Sequence, residues 1–216
     1  MEYTIHRSSR ATRVRVSVDP HDGVRVTLPQ RAPQREAAAA VAELRPWIER
    51  RLAEASAVRE RLAVPAGHVP YLGELLALRP EPGRSRAHRR GDALLVPAGA
   101  AGRAAVERFF RRAARAEIPP RVREACAALG REPTALTIRG QRTRWGSCSS
   151  AGALSFNWRL LLGPPDVLDY VIWHEACHLV HLDHSPTFWA LLAEHRPAYR
   201  EQQRWLRTHG GALVLP

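Results

Sequence analysis

Residues 174–178 read His-Glu-Ala-Cys-His, in a stretch whose apolar residues recur at helical spacing to about Val180. On a helix, His174 and His178 lie one turn apart, about 5.4 Å along the axis and about 40° around it. Both imidazoles can therefore reach one metal ion. Glu175 projects about 100° away, too far round to be an equivalent ligand but within reach of a metal-bound water. The spacing predicts a helix that presents two ligands and a general base.

A third imidazole follows at a favourable place. Ser185-Pro186 is a strong helix start, so we expect a tight turn before it that brings His184 back towards the first two histidines. Three histidine ligands leave a fourth position open for water, as a catalytic zinc site requires, with one Zn²⁺ per chain. His181 also faces the same side if the helix continues. A downstream carboxylate, Glu194 or Glu201, is the remaining candidate for the third ligand.

The N-terminal part of the chain predicts a small domain over residues 1–98. Apolar and polar residues alternate across 14–18 and 24–28 on either side of turn chemistry at 19–23, which indicates a β-hairpin with an arginine face. A helix is expected over 34–62, kinked or split at Pro46. Short strands are expected within loops over 64–98.

The C-terminal part, residues 99–216, predicts the catalytic domain. A helix over 103–129 is expected to be interrupted at Pro119-Pro120. A strand is expected over 135–138, and a second over 154–158 whose polar side chains Ser155 and Asn157 face a cleft. This second strand is a plausible edge for a peptide substrate to pair with. The combination predicts an α+β protein with a small mixed or antiparallel sheet beside the active-site helix.

Charge and cysteine usage limit the classes of partner. The 33 basic residues are all arginine, and the formal net charge is +12. The absence of lysine indicates a coding bias, which weakens basicity as an argument for nucleic acid, although an arginine face remains a possible site for it. No apolar run is long enough for a membrane span, and no secretory leader is recognisable. Three cysteines without paired spacing fit a reducing, cytoplasmic location.

Several motifs together resemble the YgjP-like metallopeptidase family, which is related to the SprT-like zincins. The motifs that carry the resemblance are Arg144-Trp145-Gly146-Ser147-Cys148, residues 154–160, residues 170–178, residues 184–189 and Trp205-Leu206. The resemblance implies a zincin-like catalytic domain. It implies His174, His178 and His184 as zinc ligands and Glu175 as the catalytic acid/base.

Three functional hypotheses follow. The first is a zinc-dependent metallopeptidase that acts on peptide or protein, with Glu175 as general base and substrate contacts from Arg144, Trp145, Ser155 and Asn157. The second is a metal-dependent nucleotide phosphohydrolase that uses the same ion, although no Walker-type glycine loop supports it. The third is a nucleic-acid-binding module with a structural metal. Candidates to stabilise the oxyanion are Arg144, His195 and Tyr199.

Overall fold

A computed structural model describes residues 1–19, 23–61, 64–141 and 143–215. The chain divides into two compact units, Met1–Ala63 and Val64–Pro216. Each unit combines helices with a small sheet, so the predicted α+β class is confirmed. None of the helices in the described ranges has both the length and the apolar character needed to cross a membrane.

The first unit is a three-stranded sheet covered by two helices. Its elements are β1 (Tyr3–Ser8), β2 (Arg15–Asp19), β3 (Gly23–Pro29), α1 (Arg35–Glu43) and α2 (Arg45–Arg61). The strand order is β1-β3-β2, with β3 parallel to β1 and antiparallel to β2. The predicted hairpin is confirmed as β2 and β3, whereas β1 was not predicted.

Alternation along β3 explains how this unit folds. Val24, Val26 and Leu28 are buried and pack against apolar residues of the two helices, including Val41 and Ile48. The predicted split of the helical region is confirmed, since α1 ends at Glu43 and α2 begins at Arg45, one residue before Pro46, where a proline is tolerated in a first helical turn. Residues 20–22 of the predicted turn, and Leu62 at the predicted helix end, lie outside the described residues.

The second unit contains two sheets and four α-helices among its described residues. The elements are β4 (His68–Tyr71), β5 (Glu74–Glu81), β6 (His88–Arg90), β7 (Ala93–Pro97), α3 (Ala101–Ala128), β8 (Ala135–Arg139), β9 (Gly146–Cys148), β10 (Ala153–Asn157), a 3-10 helix (Trp158–Leu162), α4 (Pro165–Cys177), α5 (Pro186–His195), α6 (Tyr199–His209) and a short 3-10 helix (Gly210–Ala212). The sheet orders are β4-β5-β7-β6 and β8-β10-β9.

The division between the units falls earlier than the boundary predicted at 98/99. The strands β4 to β7 form a sheet whose buried Leu94 belongs to the same apolar core as Phe110 of α3. The N–H of Leu72 also donates to the carbonyl of Leu161, at 2.7 Å. Residues 64–98 therefore belong to the unit that carries the histidine motif, because their apolar side chains complete its core.

Helix α3 runs without interruption through Pro119 and Pro120, so the predicted break there is wrong. Two prolines remove two backbone donors from the helix. On either side of them, however, Ile118 and Val122 are almost fully buried in the core. Tertiary packing of this apolar face keeps the segment helical.

The second sheet lies beside α4. Strand β10 is its central strand, parallel to β8 and antiparallel to β9. Both edges of β10 are therefore paired, and the expectation that β10 offers a free edge to a peptide is wrong. Strand β9 is at the edge of this sheet, next to α4.

Candidate metal centre

Helix α4 positions the first two histidines: His174 lies in its last turn and His178 directly follows it. Pro165 occupies its first turn together with Asp166, a proline and an acid that both suit a helix N-terminus. Most of the remaining residues of the helix are buried, which is typical of a central helix packed on several sides. The helix ends at Cys177 rather than near Val180, but His178 keeps helical backbone angles (φ −68°, ψ −13°), so the expected spacing of the two rings is preserved.

Three imidazoles converge at the end of α4. One ring nitrogen from each of His174, His178 and His184 lies within 4.8 Å of the other two. The Nε2 atoms of His174 and His184 are 3.0 Å apart. Nitrogens that share a tetrahedral zinc ion at 2.0–2.1 Å would be about 3.3 Å apart, so the donor set matches this ion in type and in scale. Among the described residues, this group does not include His181, Glu194 or Glu201.

The turn after α4 orients His178 and His184. His178 Nδ1 lies 2.9 Å from the backbone carbonyl of His181, a contact in which Nδ1 carries the proton and Nε2 is left to bind a metal. Ser185 caps α5 by accepting from the N–H of Phe188, and Asp183 accepts from the N–H of Ser185. The turn that contains His184 is thus held by hydrogen bonds. The predicted helix start at Ser185-Pro186 is confirmed.

Aromatic rings support the three imidazoles. Phe188 stacks on His178 with ring centroids 4.5 Å apart, and Trp189 stacks on His184 at 5.4 Å. These contacts restrict the rotation of both imidazoles, an ordering that a preformed metal site requires.

Burial favours the neutral forms of His174 and His178. Desolvation, followed by the proximity of His178 and His184, lowers the pKa of His174 to about 3. Desolvation is also the main cause that lowers the pKa of His178. Neutral imidazoles are the form that binds a metal ion, so the electrostatics of the site suit a cation.

Glu175 lies beside this group with its carboxyl group buried. Its side chain is 8% exposed, and desolvation raises its pKa to about 7, although the N–H of Cys148 and the charge of Arg144 act in the opposite direction. A Cβ atom placed on Gly146 would lie 2.6 Å from Glu175 Cγ and 2.7 Å from its Oε1. Strand β9 therefore approaches the carboxyl group at a distance that only glycine permits.

Two of the predicted substrate contacts are occupied inside the protein. Ser155 is buried and its Oγ is 2.8 Å from Ser147 Oγ. Asn157 is buried, and its Nδ2 donates to the carbonyls of Gln141 and Arg144. Both residues support the loop before β9 and the pairing of β9, so the polar face of β10 does not line an open cleft.

The remaining predicted residues have varied surroundings. Arg144 is exposed and acts electrostatically on Glu175, whereas Trp145 is half-buried and packs close to Gly210. Of the other oxyanion candidates, His195 stacks on Trp173 at 4.5 Å, and Tyr199 is buried and accepts a hydrogen bond from Arg200. Their roles in catalysis stay predictions.

Two arginines in the segment of strands β5 to β7 are paired with acids. Arg84 forms a 2.6 Å ion pair with Glu81, and Arg89 forms a 2.5 Å ion pair with Glu74. Their charge is thus partly compensated within the sheet that carries them.

The roles of Gly146, of the Cys148 N–H and of the His181 carbonyl were not predicted. Gly146 and Cys148 stand in the Arg-Trp-Gly-Ser-Cys motif, so their position was visible, but the motif alone does not show which atom the backbone approaches. The His181 contact was hidden because it is made by the backbone and not by the side chain.

Comparison with known proteins assigns the chain to a family. A search of solved structures found the metallopeptidase zymogen abylysin from Pyrococcus abyssi, which is 21% identical with a TM-score of 0.38, over 42% of this chain and 92% of that chain. This likeness is too low to support an argument. No curated protein matches significantly. The sequence profile of the YgjP-like metallopeptidase domain matches residues 12–209, which is most of the chain. The protein therefore belongs to the YgjP-like metallopeptidase family.

Proposed function

We propose that this protein is a zinc-dependent peptidase in which His174, His178 and His184 hold the ion and Glu175 is the general base. The observation that carries the proposal is the convergence of three imidazole nitrogens within 4.8 Å beside a buried carboxyl group. A structural zinc site is normally closed by four protein ligands. In the described chain this group supplies three, which favours a catalytic site over a structural one.

A bound zinc ion would lower the pKa of a coordinated water to about 7 and polarise the scissile carbonyl. Glu175 accepts the proton of the attacking water and then delivers it to the nitrogen of the departing amine. The Cys148 N–H and the close backbone of Gly146 restrict where this carboxyl group can sit. Arg144, exposed and close enough to lower the pKa of Glu175, is the candidate that we favour for contact with substrate oxygen atoms.

The edge of β9 is the place where we expect an extended peptide to bind. The carbonyl of Trp145 accepts from Asn157, and the N–H of Ser149 donates to Ala153, so these alternate positions face β10. The backbone groups of Gly146 and Cys148 then face the opposite side, where Glu175 lies. A peptide that paired with this edge would pass beside the general base. We therefore propose the edge of β9 as the peptide-binding edge, in place of the edge that was expected on β10.

The experiment combines metal analysis with two parallel assays. Gently purified protein should hold about one zinc per chain. Wild type should cleave an unstructured protein, and Glu175→Gln should keep the zinc but lose roughly 10² to 10⁴ in rate. Nucleoside triphosphates are tested side by side with the same variant. Glu175-dependent hydrolysis of triphosphates without peptide cleavage would establish the phosphohydrolase instead, and zinc retention with no hydrolysis of either substrate would favour a structural metal.

A further inference from the structure

A cleft of about 1000 Å³ opens beside His184, between helices α5 and α6. We name it the arginine groove. The residues that define it here are His184, Trp189, Tyr199, Arg200, Arg204 and Arg207. Because a proposed zinc ligand forms part of its wall, any substrate segment that occupies this groove lies next to the reaction centre.

The wall of the arginine groove nearest to His184 is rigid. Trp189 stacks on His184 at 5.4 Å on one side and on the buried Tyr199 at 5.4 Å on the other, with an interplanar angle of 17° in the second pair. Arg200 continues this series, since its Nε donates to the Tyr199 hydroxyl at 3.2 Å and its guanidinium lies 5.7 Å from the ring centroid. The series leads directly from the metal centre to the first arginine of α6.

The second feature of the arginine groove is the positive charge of its three arginines. Arg200, Arg204 and Arg207 are all exposed, and they recur at the spacing that places them on one face of α6. Among the residues that the structure describes, none of those lining the groove is acidic. Within the described chain, Arg204 and Arg207 have no carboxylate within ion-pair distance, whereas Arg84 and Arg89, in the segment of strands β5 to β7, are paired.

The spacing of these arginines sets the length of a matching ligand. Seven residues of helix advance about 10.5 Å. An extended peptide advances about 3.4 Å per residue, so a stretch of about three to four successive residues would span the three guanidinium groups. Clustered positive charge without acidic compensation favours a ligand segment that carries negative charge.

We propose that the arginine groove binds an acidic stretch of the peptide substrate, about three to four residues long, on one side of the scissile bond. This inference rests on the proposed peptidase function, because it uses the same metal centre to define the scissile bond. It assigns to Arg200, Arg204 and Arg207 a role in substrate selection and none in the chemical step.

The probes are twelve-residue peptides with one fixed apolar centre and with three Glu, three Gln or three Lys residues placed on either side of it. Binding is measured by fluorescence anisotropy on zinc-loaded full-length Glu175→Gln protein. We expect one of the two Glu peptides to bind about tenfold more tightly than its Gln counterpart at low ionic strength, and less so as salt is raised. The Lys peptides should bind most weakly.

Matched variants separate the groove from general basicity. Replacing Arg200, Arg204 and Arg207 together by Gln should abolish the preference for Glu. Replacing three exposed arginines of α3, Arg108, Arg115 and Arg123, by Gln removes the same charge and should leave the preference intact. The single reversal Arg204→Glu should shift the preference towards the Lys peptide, which tests the groove even if the triple variant is poorly folded.

The outcomes of this test are distinct from those of the proposed function. Equal binding of Glu and Gln peptides, or equal loss in both triple variants, would overturn the acidic groove. Cleavage of Glu and Gln peptides at the same kcat/KM by wild type would leave the peptidase intact and also overturn the groove. Arginine-dependent binding of the Glu peptide without cleavage of any peptide would support the groove and contradict the peptidase. Single-stranded DNA that displaced the Glu peptide at lower concentration would overturn the choice of a peptide ligand.

Discussion

Gly146 faces Glu175 so closely that a single added methyl group would lie 2.6 Å from Glu175 Cγ. The glycine belongs to edge strand β9 and the carboxyl group to helix α4, so this contact sets the distance between the sheet and the site helix. The atoms that the methyl group would meet all belong to the Glu175 side chain. The methyl group can therefore be accommodated only if the carboxyl group moves.

The first prediction is that Gly146→Ala lowers peptidase activity while zinc content stays at about one per chain. The methyl group must displace the Glu175 side chain, and a displaced general base is expected to reduce kcat roughly tenfold or more. Activity and zinc are measured on the same preparation. Ser150→Ala, at an exposed position in the turn after β9, is the control. Full activity in Gly146→Ala would contradict the proposed position of Glu175 as the general base.

The second prediction concerns the third ligand. His184→Ala should lose nearly all bound zinc, because His184 Nε2 is 3.0 Å from His174 Nε2 in the shared site. His181→Ala should retain zinc, because the His181 contact to His178 is made by its backbone carbonyl, which the substitution leaves in place. Elemental analysis after dialysis measures both variants. The reverse result would make His181 the ligand.

The third prediction is a pH-dependent gain in stability for metal-free Glu175→Gln. Burial raises the pKa of Glu175 from 4.5 to about 7, so the folded protein binds more protons than the unfolded chain between these values. The unfolding free energy contributed by this group therefore falls as pH rises through that window. The variant should be more stable by about 3 kcal/mol above pH 7 and unchanged below pH 4.5.

This gain is measured by denaturant unfolding at pH 4.5 and pH 8 in the presence of a chelator. Glu124→Gln, at an exposed position of α3, is the control and should show no such difference. A gain of the same size at both pH values would mean that a packing change, and not the ionisation of Glu175, is responsible.

The fourth prediction is that chelation destabilises the wild type more than it destabilises His184→Ala. A ligand that binds only the folded state stabilises it by mass action, and with zinc at about a hundred times its Kd the loss on chelation corresponds to roughly 5–10 °C in Tm. Differential scanning fluorimetry with and without chelator measures the shift. An equal shift in both proteins would place the stabilising metal elsewhere.

The convergence of the three histidines was predictable because its signals are local. The spacing of His174 and His178 is a property of one helix, and Ser185-Pro186 marks the next helix start in the sequence itself. The end of α4 was placed about three residues too late, since a helical turn without a proline or glycine gives no stop signal in the sequence.

The parts that could not be predicted depend on tertiary contacts. The position of β10 in the middle of its sheet follows from the placement of β8 and β9 on its two sides, which alternation along β10 does not show. The same is true of Pro119 and Pro120, since local rules predict a break and only the buried residues around them explain the intact helix. The burial of Ser155 and Asn157 has this origin too.

The carbonyl of His181 orients His178, and the same short turn ends in His184. Two of the three proposed ligands are consequently positioned by one short backbone segment. Distortion of that loop would move both imidazoles away from His174 together. Uptake of a metal ion and local ordering of residues 178–185 should therefore occur as a single all-or-none event.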